Sequence, residues 1–119
     1  MTSRVVERGE LVYVRSAPPE PVGDAAEQTR RALARIEELL ALAGTDKSRL
    51  LTAQIKLSDL AHLPEHERAW HEWLGSLAAP IRAVEQSALE PSEALVEITV
   101  TAQKSPAQPW KTPSSSVSA

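Results

Sequence analysis

Val96-Glu97-Ile98-Thr99-Val100-Thr101-Ala102 alternates apolar and polar side chains without a break. A period of two puts Val96, Ile98, Val100 and Ala102 on one face of a strand, and Glu97, Thr99 and Thr101 on the other. One face suits a core and the other suits water or a polar partner. The pattern extends over 94–102. Upstream, Glu90-Pro91-Ser92-Glu93 reads as a turn, and 82–89 as the strand before it. The same period recurs over 49–58, where Leu51, Ala53, Ile55 and Leu57 oppose Thr52, Gln54 and Lys56. Nearer the N-terminus, Val5-Val6 and Leu11-Val12-Tyr13-Val14 flank Arg8-Gly9-Glu10, which predicts a hairpin. Pro18, Pro19 and Pro21 end that pairing.

Two helical patterns lie between the strands. Asp24 with Glu27 three residues on forms a capping box. Leu33, Ile36, Leu40 and Ala43, with Leu39 beside them, then follow a 3.6-residue period until Gly44, which predicts a helix over 24–43. Pro64 suits the first turn of a second helix. Leu63, His66, Trp70, Trp73 and Leu77 share its apolar stripe, and Gly75 and Pro80 end it. The order is ββ-α-β-α-ββ. Two helices with one stripe each cover one face of one sheet, so the fold class is α+β: a two-layer domain with a mixed β-sheet. The second sheet face would carry Gln54, Lys56, Arg82, Gln86, Glu97, Thr99 and Thr101.

Length and composition narrow the function. The 119 residues hold no Cys, no Phe, one Tyr and three Trp, with a net charge of −3. That is one domain's worth of chain. Without Cys there is no disulfide framework, no Cys-based zinc site and no Cys nucleophile. Mild acidity disfavours nucleic acid as a partner. No apolar run approaches the roughly 20 residues of a membrane helix, and no signal-peptide core opens the chain, so a cytoplasmic location is expected. A folded domain is expected over 1–103. The Pro- and Ser-rich segment 104–119 reads as a disordered tail, with Trp110 as the exception, either docked on the domain or solvated within the tail.

His62, His66 and His71 cluster without a third metal ligand on one face, and His66 falls on the apolar stripe, so no metal is expected. Four Gly in all give no phosphate loop. Arg82 is the more informative residue. Its guanidinium is a rigid fork suited to a carboxylate. Glu97, on the polar face of the final strand, can hold and activate water. Adjacent antiparallel strands would bring both to one site, although a structural ion pair would read the same way.

Several blocks resemble the Rid family, the reactive-intermediate deaminases of the YjgF group. They are Gly9 to Val14; Asp24 with Gln28-Thr29-Arg30, Ile36 to Leu40 and Ala43-Gly44; Leu57-Ser58-Asp59-Leu60; and Trp70-His71-Glu72-Trp73. Above all, Pro80-Ile81-Arg82-Ala83, Gln86, Leu89, Pro91 and Ala94-Leu95-Val96-Glu97-Ile98 resemble the family's C-terminal signature. The resemblance spans about residues 3–103. It implies a chorismate-mutase-like α+β fold assembled as a homotrimer with clefts between subunits. It implies hydrolysis of enamines or imines of the 2-aminoacrylate type to 2-keto acids and ammonia. Arg82 would anchor the substrate carboxylate and Glu97 would activate water, with no cofactor and no metal. Arg82, Arg15, Ser16 and Gln86 would contact substrate.

The chain also departs from the family pattern. Arg15-Ser16-Ala17 stands where many members have Ser-Gly-Gln, and Glu67 where many have Asn. Glu85 stands where an apolar, helix-facing residue is usual; Arg15 would either partner it or enter the cleft and change its substrate. These changes keep other readings open: a non-catalytic trimeric protein that binds small carboxylates, or a specialised enzyme acting on a larger imine or enamine. Ribonuclease activity, also associated with the family, fits an acidic chain without an aromatic platform least well. With only four aromatics, the isolated monomer is expected to be marginal until assembly buries the second sheet face.

Overall fold

A computed structural model describes residues 3–18 and 20–104; the tail from 105 on, with Trp110, lies outside the described residues. The hairpin forms as expected. Strands β1 (Arg4–Arg8) and β2 (Leu11–Ser16) pair antiparallel from Arg8↔Leu11 outward. Gly9 takes φ 57° in the two-residue turn, a conformation open to glycine. Helix α1 (Ala25–Leu42) follows, with the Asp24 side chain accepting from the Glu27 N–H. Strand β3 (Leu50–Leu57), helix α2 (Leu63–Leu74), strand β4 (Ile81–Gln86) and strand β5 (Val96–Gln103) complete the chain. Gly75 at φ 63° ends α2.

The five strands form one mixed sheet in the order β1-β2-β5-β3-β4. Only β3 and β4, joined through α2, run parallel. The clean alternation of β5 is explained by its central place. Val96, Ile98, Val100 and Ala102 are fully buried beneath the helices. Val12, Val14, Ala53, Ile55 and Leu57 extend that surface across the sheet, and Leu33, Ile36, Leu40 and Trp70 close it from above. Apolar burial at about 25 cal/mol per Å² dominates such a layer. The helices cover this face only. On the other face Gln54, Lys56, Thr99 and Thr101 occupy matching ladder positions, as expected, with Glu97 beside them.

Three expectations need correction. Leu51 does not share the face of Ala53. The β3–β5 register steps from Leu50↔Ala102 to Thr52↔Thr101, a bulge that leaves Leu51 exposed and turns Leu50 toward the core. The strand read over 82–89 stops at Gln86, and β5 starts at Val96 rather than Ala94. Most consequentially, Arg82 and Gln86 do not lie on the polar face. They pair with Ala53 and Leu57, both core residues, so they face the helices.

Gln28 ties α1 to the segment that leads into β5. It is buried, donates to the Gly23 and Glu93 carbonyls at 3.3 Å, and accepts from the Leu95 N–H at 2.8 Å. Its replacement by Leu strands these buried backbone groups at a cost of about 2 kcal/mol. Urea denaturation of Gln28→Leu should show that loss, while Arg35→Ala, on the exposed side of α1, should stay within about 0.5 kcal/mol of the wild type.

Candidate active site

The predicted site residues divide between the two faces of the sheet. Arg82 opens the edge strand β4 on the helix side. Its guanidinium carbon lies 4.8 Å from the centre of the Trp70 ring, and its Nη2 donates to Glu67. Stacking on an indole and pairing with a carboxylate both suit a planar, weakly hydrated cation. The Arg82 Nε is buried without a partner. Glu67 therefore occupies one arm of the Arg82 fork. The hydrogen bond from Arg82, opposed by partial burial, holds the Glu67 carboxyl below its usual range.

His66 completes this cluster. It is fully buried on α2, its Nδ1 lies 3.1 Å from the Thr29 hydroxyl, and its Nε2 has no partner. Burial, then the nearby Arg82 charge, push its pKa down to about 4. The ring is thus neutral at pH 7. His66 is buried as its place on the apolar stripe predicts, and Arg82 is a neighbour that the stripe does not reveal.

Ser16 also faces inward. It is buried, pairs with Ile98 in the ladder, and accepts from the Ser3 hydroxyl. Gln86 sits at the end of β4, where its Oε1 accepts from the Leu60 N–H at 2.9 Å. Glu97 and Arg15 are on the opposite, open face. Glu97 is largely buried there. Across the ladder from it is Lys56, which in turn has Glu85 on its other side.

Two expectations about contacts fail within one chain. Arg82 and Glu97 are not brought together by adjacent strands, because β3 lies between β4 and β5 and the side chains emerge on opposite faces. Glu85 does not face the helices and does not meet Arg15. It is exposed on the open face and accepts from Gln54 at 3.2 Å, while β3 and β5 separate it from β2. A groove of about 280 Å³ between α1 and α2, lined by Arg30, Glu37, Glu72 and Trp73 among others, contains none of the predicted site residues.

The protein is a two-layer α+β sheet domain with an arginine stacked on tryptophan at its edge strand. The family model described as Endoribonuclease L-PSP matches residues 3–104. A RutC family protein of Haemophilus ducreyi is 36% identical over 97 residues, covering 82% of this chain and 83% of that protein. The RutC family protein YoaB of Escherichia coli is 34% identical over 100 residues, covering 84% and 88%. The crystal structure of a YjgF family member from Neisseria meningitidis superposes with a TM-score of 0.82 at 35% identity, covering 87% of each chain. The chain belongs to this family, the YjgF/Rid family. Among the described residues, no helix is long and apolar enough to cross a membrane.

The buried imidazole sets a pH dependence. His66 accepts a proton more readily in the unfolded chain, near the ordinary 6.5, than in the folded one, near 4. The unfolded state therefore binds more protons between these values, and stability is full above about pH 6.5 and falls as pH drops toward 4. The loss by pH 4.5 is on the order of 2–3 kcal/mol. The substitution His66→Gln, which keeps a partner for Thr29, should flatten this part of the profile when urea midpoints are compared at pH 7 and pH 4.5.

Proposed function

We propose that this protein is a Rid-type deaminase that hydrolyses enamines or imines of small 2-amino acids to 2-keto acids and ammonia, and that it works as a homotrimer. The observation that supports this reading most is the Arg82 guanidinium, fixed in one plane by Trp70 and Glu67 at the sheet edge. A rigid fork binds a planar carboxylate in two parallel hydrogen bonds and so orients the adjacent C=N carbon. The enamine takes a proton from solvent on carbon to give the iminium ion. Water adds to the iminium carbon as Glu97 takes one of its protons. Glu97 returns that proton to the amino nitrogen, the C–N bond of the carbinolamine breaks, and the departing ammonia takes the hydroxyl proton to leave as ammonium, with the 2-keto acid remaining.

The opposite placement of Arg82 and Glu97 gives the trimer a chemical role in this reading. One small substrate cannot reach both groups of a single chain, so the site combines Arg82 of one copy with Glu97 of another. Arg15 and Gln86 then belong to the rim and not to the centre, and Ser16 supports the wall from inside the subunit. In Arg82→Ala, release of 2-keto acid from an imine generated in situ should fall by about a hundredfold, the effect of losing a carboxylate anchor worth roughly 3 kcal/mol. An unchanged rate at saturating substrate would remove Arg82 from the mechanism.

Glu67 competes with the substrate for the same fork. Replacing it with the uncharged Asn should lower KM for a carboxylate substrate about fivefold, matching roughly 1 kcal/mol for a partly screened ion pair. Steady-state kinetics of Glu67→Asn check this, and a raised KM would contradict it. The same occupancy favours a second reading, a trimeric protein that binds small carboxylates without turning them over. Calorimetry with 2-ketobutyrate, showing binding alongside no keto-acid release from any imine, would select it.

A further inference from the structure

The groove between α1 and α2 lies on the helical layer, away from the open face of the sheet. Ala34, Ala69 and Trp73 line its volume of about 280 Å³ together with Arg30, Glu37 and Glu72. Two alanines leave a gap that larger side chains would fill, and the charged residues add their alkyl stems to it. Ala34 is exposed and Trp73 only half-buried, so apolar surface stays open there among the described residues. The Trp73 ring is held in place, since its Nε1 donates to Glu37 at 2.8 Å and the Lys47 ammonium lies 5.0 Å from its centre.

The chain beyond the described residues starts close to this groove. Thr45 donates to the Gln103 carbonyl at the end of β5, and Lys47, two residues on, donates to the Trp73 carbonyl, each at 2.6 Å. One loop after α1 therefore touches both the end of β5 and the Trp73 end of the groove. From Lys104 to Trp110 an extended chain reaches about 20 Å. Segment 105–119 holds one aromatic residue, Trp110, one cation, Lys111, and no carboxylate side chain. On the groove, Glu72 has Arg30 as its ion-pair partner at only 3.9 Å.

We infer that this groove is the docking site of the chain's own C-terminal segment, with the Trp110 indole against Ala34, Ala69 and Trp73 and Lys111 toward Glu72. Two indoles suit an offset or edge-to-face contact. The covalent connection holds the segment at about millimolar effective concentration, so a modest contact is enough. Helix α2 gains most from it, being 12 residues long and having no side-chain cap at its N-terminus. The docked segment braces from outside the helix whose Glu67 and Trp70 hold Arg82. The docking does not depend on the deaminase reading, and the proposed assembly closes the opposite face of the sheet.

Fluorine NMR of the full-length protein labelled with fluorotryptophan tests the assignment, with Trp110→Phe and Trp73→Phe identifying the resonances. The Trp110 resonance of the wild type should stand apart from that of the labelled peptide 105–119, and should respond less to exchange of light for heavy water. Ala34→Arg fills the groove at an exposed helical position that suits arginine. It should move the Trp110 resonance to the peptide position, while an unchanged Trp70 resonance verifies the fold. Glu38→Gln, on α1 outside the groove, should move neither. A wild-type Trp110 resonance at the peptide position would overturn the docking. So would one that Ala34→Arg leaves in place, since Trp110 would then rest on another surface. Labelled Ala34→Arg refolded together with unlabelled Trp110→Ala should keep the peptide-like resonance. Recovery of the wild-type resonance in that mixture would seat the segment on another copy and overturn the inference.

Discussion

One sheet has two faces, and the described residues supply helices for only one of them. Burial of the row Val14–Val100–Ala53, and of Ile98 and Ile55 beside it, under α1 and α2 is the interaction on which everything else rests. It fixes the phase of every strand. Once Val100 is inside, Glu97, Thr99 and Thr101 must emerge on the far side, because a one-residue slip would exchange the two sets completely. It also fixes Arg82 beneath α2, since Arg82 continues the same row at the sheet edge.

A charged side chain in that position needs compensation, and the chain supplies it from a single helix turn. Trp70 offers a ring face and Glu67 a carboxylate, while His66, one residue before Glu67, stays neutral. Each member depends on the others. Without Glu67 the guanidinium loses its counter-charge. Were His66 protonated, two cations would share one partly desolvated space. The pKa of a buried histidine and the orientation of an edge arginine are thus parts of one electrostatic arrangement.

The fold was legible wherever a period ran long enough. The seven residues from Val96 to Ala102 carry one unambiguous phase, and α1 carries five turns of stripe between a capping box and a glycine. The exposure of Leu51 is hidden because a bulge shifts phase without any mark in composition. The face of Arg82 is hidden for a different reason. In Arg82-Ala83-Val84-Glu85-Gln86 each phase contains both apolar and polar residues, so polarity alone favoured the wrong face. An arginine that stacks on tryptophan behaves as an amphipathic side chain, and no period reveals that. Strand order was equally hidden, since β3 enters between β5 and β4 through contacts distant in sequence. Glu67 stood out as a departure from the family pattern, but its partner could be identified only in three dimensions.

The sparse aromatic content can now be located. Trp70 and Trp73 contact each other with ring centres 5.6 Å apart, and the single tyrosine, Tyr13, lies on the open face with Val6 and Thr101 as its ladder partners. The helix-side core is built almost wholly from aliphatic residues, and its centre is fully buried. The shortage of large side chains is therefore not a defect inside the subunit. It belongs to the second face, where small hydroxyl and charged residues stand above a sheet that no described element of the chain covers. In the proposed assembly that face is closed by other copies, and the same closure brings the Glu97 side of one sheet against the Arg82 edge of the next. Completing the layer and completing the catalytic pair would then be one event, so the separation of Arg82 and Glu97 within the monomer is what an inter-subunit site requires.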